Sequence, residues 1–307
     1  YPNSGHRANH EFAAGLTMAA ATIGSDTGGS VRIPAALCGL TGFKPTQRRI
    51  PLEGAFPLSF TRDSIGRLGP SVACCAWLDA VMAGEALTHP APFGLRGARF
   101  GVPRTILLDG LDREVAAAFA QALEKLAAAG AAIEEFDFPE LARERDGSAR
   151  ANFSAVEAYA LHRQRLATAA DQFDRRVAKR LLLGAEMKAA DYVELRQLRD
   201  ALMVSANRAT ARFDALLAPS VPIVAPAIAN MDSSDEEFFR INSLLLRNCA
   251  PFNVLDRPCL SLPCHRPGEA PVGLMVVGET MGDARVLSIG AAIEQVLAAT
   301  APSPRKN

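Results

Sequence analysis

Gly24-Ser25-Asp26-Thr27-Gly28-Gly29-Ser30-Val31-Arg32-Ile33-Pro34 is the stretch around which the chain is organised. Three glycines, three hydroxyl side chains and an acid fall within its first seven residues. Glycine lets the backbone turn tightly and brings peptide N–H groups close to a small anionic atom. A serine at the end of such a turn is presented with donors already aimed beside it. Acyl transfer needs that arrangement: a nucleophilic hydroxyl and an oxyanion site, both fixed before reaction.

Working outward, the run from Ala13 to Ile23 reads as a small-residue helix leading into a short strand. On the other side Pro34-Ala35-Ala36-Leu37-Cys38-Gly39 reads as a short helix with Pro34 in its first turn. Gly42 to Thr46 is a strand end and a proline turn. Phe60 to Pro70 mixes charge and glycine and is expected to be a loop. Val72 to Met82 has helical character, and Leu95 to Val102 is a strand ended by Pro103. A strong helix follows from Asp112, its expected cap, to Gly130, with Val115, Phe119, Leu123 and Leu126 at helical spacing. Ala132 to Phe138 then alternates as a strand does. Strand, helix, strand in that order is a βαβ unit, which predicts parallel pairing within a mixed sheet.

Residues 150–213 are helical in pattern. Phe213 to Leu217 is a short strand, Ala218 to Pro226 an extended loop set by three prolines, and Phe238 to Cys249 a helix. Two strands, Cys259 to Cys264 and Pro271 to Gly278, are joined by a polar turn, and Asp283 is expected to cap a closing helix to Ala299. The fold class is therefore α/β, a mixed β-sheet core flanked by helices on both faces, in a single large domain spanning residues 1–307. Residues 150–250 form a mainly helical subregion on the substrate side.

The chain has 307 residues, 49% of them hydrophobic and 21% charged, enough to bury a sizeable core. Lys plus Arg and Asp plus Glu number 33 each, and the basic residues are scattered, so no electrostatic footprint for nucleic acid is present. No apolar run reaches bilayer-spanning length, and the N-terminus lacks the order of a signal peptide. The expected location is cytoplasmic, without a membrane or nucleic-acid partner. Cys38, Cys74, Cys75, Cys249, Cys259 and Cys264 form no CxxC pair and no zinc spacing, so they are read as reduced thiols, with no metal and no cofactor. His162 is read as an exposed or core-edge histidine. Lys44 is read as a lysine that orders its loop in preference to a catalytic amine, because Pro45 holds it in extended backbone.

The run from Gly24 to Ala36 closely resembles the most specific stretch of the amidase signature family of serine hydrolases. Cys38-Gly39-Leu40-Thr41-Gly42-Phe43-Lys44-Pro45-Thr46 continues the resemblance, as do Asp63 to Pro70, Asp214 to Pro222 and Ala270 to Met275. The resemblance implies hydrolysis of the C–N bond of a small-molecule carboxamide through a seryl acyl-enzyme; the expected partners are a small-molecule amide substrate and a second copy of the chain in a homo-oligomer. Ser30 matches the nucleophile, the N–H groups of Thr27, Gly28, Gly29 and Ser30 match the oxyanion hole, and Ser25 matches a supporting hydroxyl. The family's bridging serine, carried in a cis peptide, belongs upstream of Ser30. An ungapped match places Gly5-His6-Arg7-Ala8-Asn9 there, and Ser4 fits only with a shifted alignment. The base lysine belongs further upstream still and is not present in the chain.

Three explanations account for this: a chain N-terminally incomplete relative to the family, one piece of an assembled enzyme, or a divergent protein in which His6, His10 or Lys44 does the lysine's work. The first is favoured. Two other readings stand beside the amide hydrolase. One is a catalytically impaired or non-catalytic protein of the same fold. The other is the transamidating subunit of a tRNA-dependent amidotransferase, against which the balanced charge weighs.

Overall fold

The computed structural model describes residues 19–150 and 152–299. Strand β1 (Thr22–Asp26) leads through the glycine–serine turn into helix α1 (Arg32–Cys38), and the chain returns as β2 (Thr41–Lys44) and β3 (Ser64–Gly69). Helix α2 (Val72–Ala83) follows, capped by the Ser71 side chain, which accepts the Cys74 N–H. Then come β4 (Arg99–Pro103), α3 (Arg113–Ala128) and β5 (Ala132–Phe136). Helices α4 (Pro139–Arg150), α5 (Phe153–Thr168), α6 (Arg175–Leu182) and α7 (Ala189–Thr210) make up the helical middle. The chain closes with β6 (Ala215–Pro219), α8 (Ile228–Asp232), α9 (Asp235–Leu246), α10 (Ala250–Val254), the hairpin β7 (Cys259–Pro263) and β8 (Gly273–Val277), and α11 (Asp283–Ala298).

The eight strands form one sheet in the order β1-β3-β2-β7-β8-β6-β4-β5. Strands β4, β5 and β6 pair in parallel and the remaining pairs are antiparallel, so the sheet is mixed, with its parallel part in the βαβ unit. Both faces are covered. Leu217 of β6 and Leu274 and Val276 of β8 pack with α2, α3 and α11 in one cluster. Leu216, Ala218, Met275 and Val277 face the opposite cluster, built from α1, α4, α7, α9 and α10. Period-two alternation along each strand sends successive side chains into the two cores.

Several expectations change at their edges. The stretch read as a loop from Phe60 to Pro70 contains β3, which pairs with both β1 and β2. Its glycines mask a strand because the site is crowded: a Cβ on Gly66 would lie 2.5 Å from the Phe43 carbonyl oxygen and 3.1 Å from Val31 Cγ2. The strand expected from Leu95 begins only at Arg99, since Ala98 N–H closes a turn on the Leu95 carbonyl at 3.1 Å with Gly97 at φ +80°. The strand expected at Phe213 begins at Ala215.

Neither aspartate expected as a cap caps its helix. Asp112 precedes α3, but its carboxylate accepts the Val224 N–H at 3.0 Å. Asp283 is the first residue of α11, and its carboxylate accepts the Thr46 N–H and hydroxyl at 2.8 and 2.7 Å. In both cases a long-range tie has displaced the local cap. The small-residue helix expected before β1 lies outside the described residues.

Candidate active site

The turn between β1 and α1 is built around Asp26, which is fully buried. Asp26 Oδ1 accepts the Gly29 N–H at 2.7 Å and Oδ2 accepts the Val31 N–H at 3.1 Å, so one carboxylate holds both sides of Ser30. The Arg32 guanidinium lies against the same carboxylate, with Nε 3.1 Å from Oδ2 and Nη2 3.0 Å from Oδ1. Burial alone would raise the Asp26 pKa. The Arg32 charge and hydrogen bonds, with Asn253, reverse that and hold it well below the usual carboxylate range.

Asn253, on α10, binds the loop from the far end of the chain. Its amide donates to the Asp26 carbonyl at 3.1 Å and to Asp26 Oδ1 at 2.9 Å, while its own oxygen accepts Arg32 Nη2 at 2.5 Å. Arg32 Nη1 also donates to the Cys249 carbonyl at 3.0 Å. Ser64 Oγ donates to the Asp26 carbonyl at 2.9 Å. Every side of Asp26 is thus committed, which fixes the turn before any substrate arrives.

Gly29 takes φ +125°, a conformation that L side chains rarely adopt, and a Cβ there would lie 2.6 Å from Cys249 Cβ and 2.7 Å from Ile33 Cδ1. The Gly29 carbonyl accepts the Ile33 N–H at 2.8 Å, the first bond of α1. Ser30 is half-buried, between the tied Gly29 and Val31. Thr27 is buried and donates its hydroxyl to Asp63 Oδ1 at 2.5 Å, while Asp63 Oδ2 accepts the Leu58 and Ser59 N–H groups at 2.8 and 2.9 Å. Of the four N–H groups expected to face an oxyanion, the Gly29 donor is therefore engaged by Asp26. Those of Thr27 and Gly28 are not bound by that carboxylate.

Ser25 lies in β1 opposite Ile65, is half-buried, and makes no side-chain hydrogen bond among the described residues. Lys44 ends β2, is buried, and donates Nζ to the Pro45 carbonyl at 2.7 Å; burial lowers its pKa. The hydrogen bond ties Lys44 to its own loop, and its charge also acts on Asp26. His162 is buried, its Nε2 2.8 Å from the Pro57 carbonyl and its ring stacked on Phe56 with centroids 4.9 Å apart. Ser4, His6 and His10 lie outside the described residues. No cluster of three metal-ligating side chains occurs among the described residues, and no helix there is long and apolar enough to cross a membrane.

Asp26, Arg32, Asp63 and Asn253 are parts of this site that the sequence did not mark as such. An acid three residues before Gly29, with an arginine six residues beyond the acid, was the available signal for the first two. Nothing local marks Asn253, which is 227 residues from Asp26.

The chain as a whole is similar to known proteins. A family profile described as Amidase matches residues 12–287. The 2-amino-5-chloromuconic acid deaminase of Comamonas testosteroni is 31% identical over 278 residues, covering 90% of this chain and 60% of that protein. The indoleacetamide hydrolase of Agrobacterium vitis is 33% identical over 293 residues, covering 90% of this chain and 62% of that protein. A solved structure described as a crystal structure of amidase superposes with a TM-score of 0.82 at 34% identity, covering 95% of this chain and 65% of that one. The chain thus spans about three-fifths of the length of these curated relatives.

Proposed function

This chain belongs to the amidase signature family, and from that premise we propose that it hydrolyses the C–N bond of a small-molecule carboxamide with Ser30 as nucleophile. The observation that carries the reading is the double tie of Asp26 to the Gly29 and Val31 N–H groups, which immobilises the residues on both sides of Ser30. A nucleophile held in this way loses little freedom on reaching the transition state.

Ser30 Oγ forms a bond to the carbonyl carbon as its proton passes to a base, and the carbonyl electron pair moves onto oxygen. The N–H groups of Thr27, Gly28 and Ser30 receive that oxyanion, while Gly29 spends its donor on Asp26 to keep them aimed. Collapse breaks the C–N bond, the departing nitrogen takes the proton, and ammonia or an amine leaves. Water then attacks the ester, releasing the acid and restoring Ser30.

We place the base outside the described residues, since Lys44 is occupied with Pro45. Residues 150–250 supply the substrate side. Leu246 Cδ2 and Ala250 Cβ lie 3.4 and 3.9 Å from the point a Cβ on Gly28 would take, which supports that placement. The reaction asks for no cofactor, and the protein works in the cytoplasm.

Ser30→Ala should lower amide turnover by about a thousandfold or more, the scale on which a lost nucleophile acts. A fluorophosphonate probe should label Ser30 in the native protein and leave the variant unmarked. Unchanged turnover in the variant removes Ser30 from the reaction. A native protein that is neither labelled nor active favours the non-catalytic reading.

A further inference from the structure

We propose that Arg62 is a substrate-binding residue that takes a carboxylate, so that the amide hydrolysed at Ser30 carries an anionic group a few bonds from its scissile carbonyl. The inference rests on the hydrolase reading above and narrows its substrate class.

Six arginines are buried among the described residues: Arg32, Arg62, Arg67, Arg176, Arg199 and Arg257. Five have partners. Arg32 pairs with Asp26, Arg67 with Asp79 and Arg176 with Asp235. Arg199 donates to the Val254 carbonyl, and Arg257 to Asn207 and Thr210. Arg62 is only 7% exposed, its side chain makes no hydrogen bond or ion pair among the described residues, and its Nε is fully enclosed without an acceptor. A guanidinium stays charged in a protein, and withdrawing it from water without an acceptor is strongly unfavourable. A ligand anion resolves that deficit.

The position of the group decides which ligand. Arg62 Nη2 lies 3.7 Å from the point a Cβ on Gly28 would occupy, so the guanidinium faces the middle of the oxyanion turn, beside Leu246 and Ala250. Glu144, Glu157 and Asp26 act on Arg62 by charge but none forms an ion pair with it: Glu157 accepts from Ser59, Thr61 and Tyr192, Glu144 accepts from Ser148, and Asp26 is paired with Arg32. The planar fork of an arginine matches a carboxylate through two parallel N–H donors. A molecule whose carbonyl sits at Ser30 can reach this fork with a short acyl chain.

The test compares succinamic and glutaramic acids with butanamide and pentanamide in the full chain and in Arg62→Met and Arg62→Lys. The wild type should prefer the acids. Arg62→Met should raise KM for them by about 10- to 100-fold, the worth of a charged hydrogen-bonding pair, and bring the acid-to-neutral ratio of kcat/KM close to one. Arg62→Lys should fall between. Glutarate should raise the melting temperature of the wild type and of Ser30→Ala, and leave that of Arg62→Met unchanged. No preference for acids in the wild type, or equal losses on acids and neutral amides in both variants, overturns the proposal.

The two readings fail separately. A glutarate shift that needs Arg62 in a protein hydrolysing no amide keeps the anion site and removes the hydrolase. Hydrolysis with no glutarate shift removes Arg62 alone.

Discussion

Arg32 lies side-on against Asp26, Nε to Oδ2 at 3.1 Å and Nη2 to Oδ1 at 3.0 Å, and both side chains are fully withdrawn from water. A buried pair of this kind adds little net stability by itself, because desolvation offsets the attraction. Here the carboxylate also receives two loop N–H groups and the Asn253 amide, so the pair acts as a clamp on the turn that carries Ser30.

Removing one partner strands the other. Arg32→Met should destabilise the protein by about 3–5 kcal/mol, the range for a buried charge left alone. Asp26→Asn should cost at least as much, because it strands the Arg32 charge and turns an amide donor toward one of the loop N–H groups. Urea unfolding of both variants measures the difference. The pH dependence has a definite sign. The folded pKa of Asp26 is depressed, so its stabilising contribution is complete above the unfolded value of about 3.9 and is lost as the pH falls through the lower folded value. The wild type should lose stability in that acid window more steeply than Asp26→Asn.

Gly29→Ala meets two obstacles, the positive φ and a Cβ 2.6 Å from Cys249 Cβ. The backbone strain alone is worth about 1–3 kcal/mol. Adding Cys249→Gly removes the opposing carbon and should return part of the lost stability, leaving the φ penalty and the Ile33 contact. Thermal melts of the single and double variants separate the two contributions. A double variant no more stable than Gly29→Ala would show that the Cys249 contact is not what excludes a side chain.

The layered α/β fold was legible because it rests on period: strands alternating into two cores and a βαβ unit whose helix repeats its apolar residues in sequence. Ser30 and its glycines were legible as a compact run. The clamp was not, because its meaning depends on Asn253 and Cys249, more than 200 residues away along the chain. Asp112 and Asp283 show the same limit. Each stands where a cap belongs, and each is taken by a distant backbone group, Val224 in one case and Thr46 in the other. Strand β3 was misread because glycine lowers strand propensity, whereas here Gly66 is required by the Phe43 carbonyl pressed against it.

Reduced thiols at six positions should respond unequally to alkylation. Cys38 is exposed and Cys74 half-buried, while Cys75, Cys249, Cys259 and Cys264 are buried. Burial pushes the Cys249 and Cys264 thiols up to about 12, so almost no thiolate is present at neutral pH. Iodoacetamide at pH 8 should modify Cys38 and Cys74 in the native protein and all six after denaturation, as read by peptide mass spectrometry. Rapid native labelling of Cys249 would mean that the contact between Gly29 and α10 opens in solution.

Glu157, on α5, reaches across to the segment that precedes β3. Its carboxylate is buried and accepts Ser59 Oγ at 2.6 Å, the Thr61 N–H at 3.1 Å, Thr61 Oγ1 at 2.8 Å and the Tyr192 hydroxyl at 2.8 Å. It therefore fixes the backbone from which Arg62 projects. Glu157→Ala leaves several donors without an acceptor and should destabilise by about 3 kcal/mol, more than Glu157→Gln, whose oxygen keeps one pair of bonds and whose amide can donate to the other hydroxyls. Burial raises the Tyr192 pKa, and donating to a carboxylate raises it further, since losing the proton would set two negative charges side by side. Glu157→Gln should accordingly bring the Tyr192 titration down toward the ordinary tyrosine value of about 10. Ultraviolet difference titration against Tyr192→Phe isolates that one phenol. An unmoved titration would mean that burial alone, without the Glu157 contact, sets the Tyr192 pKa.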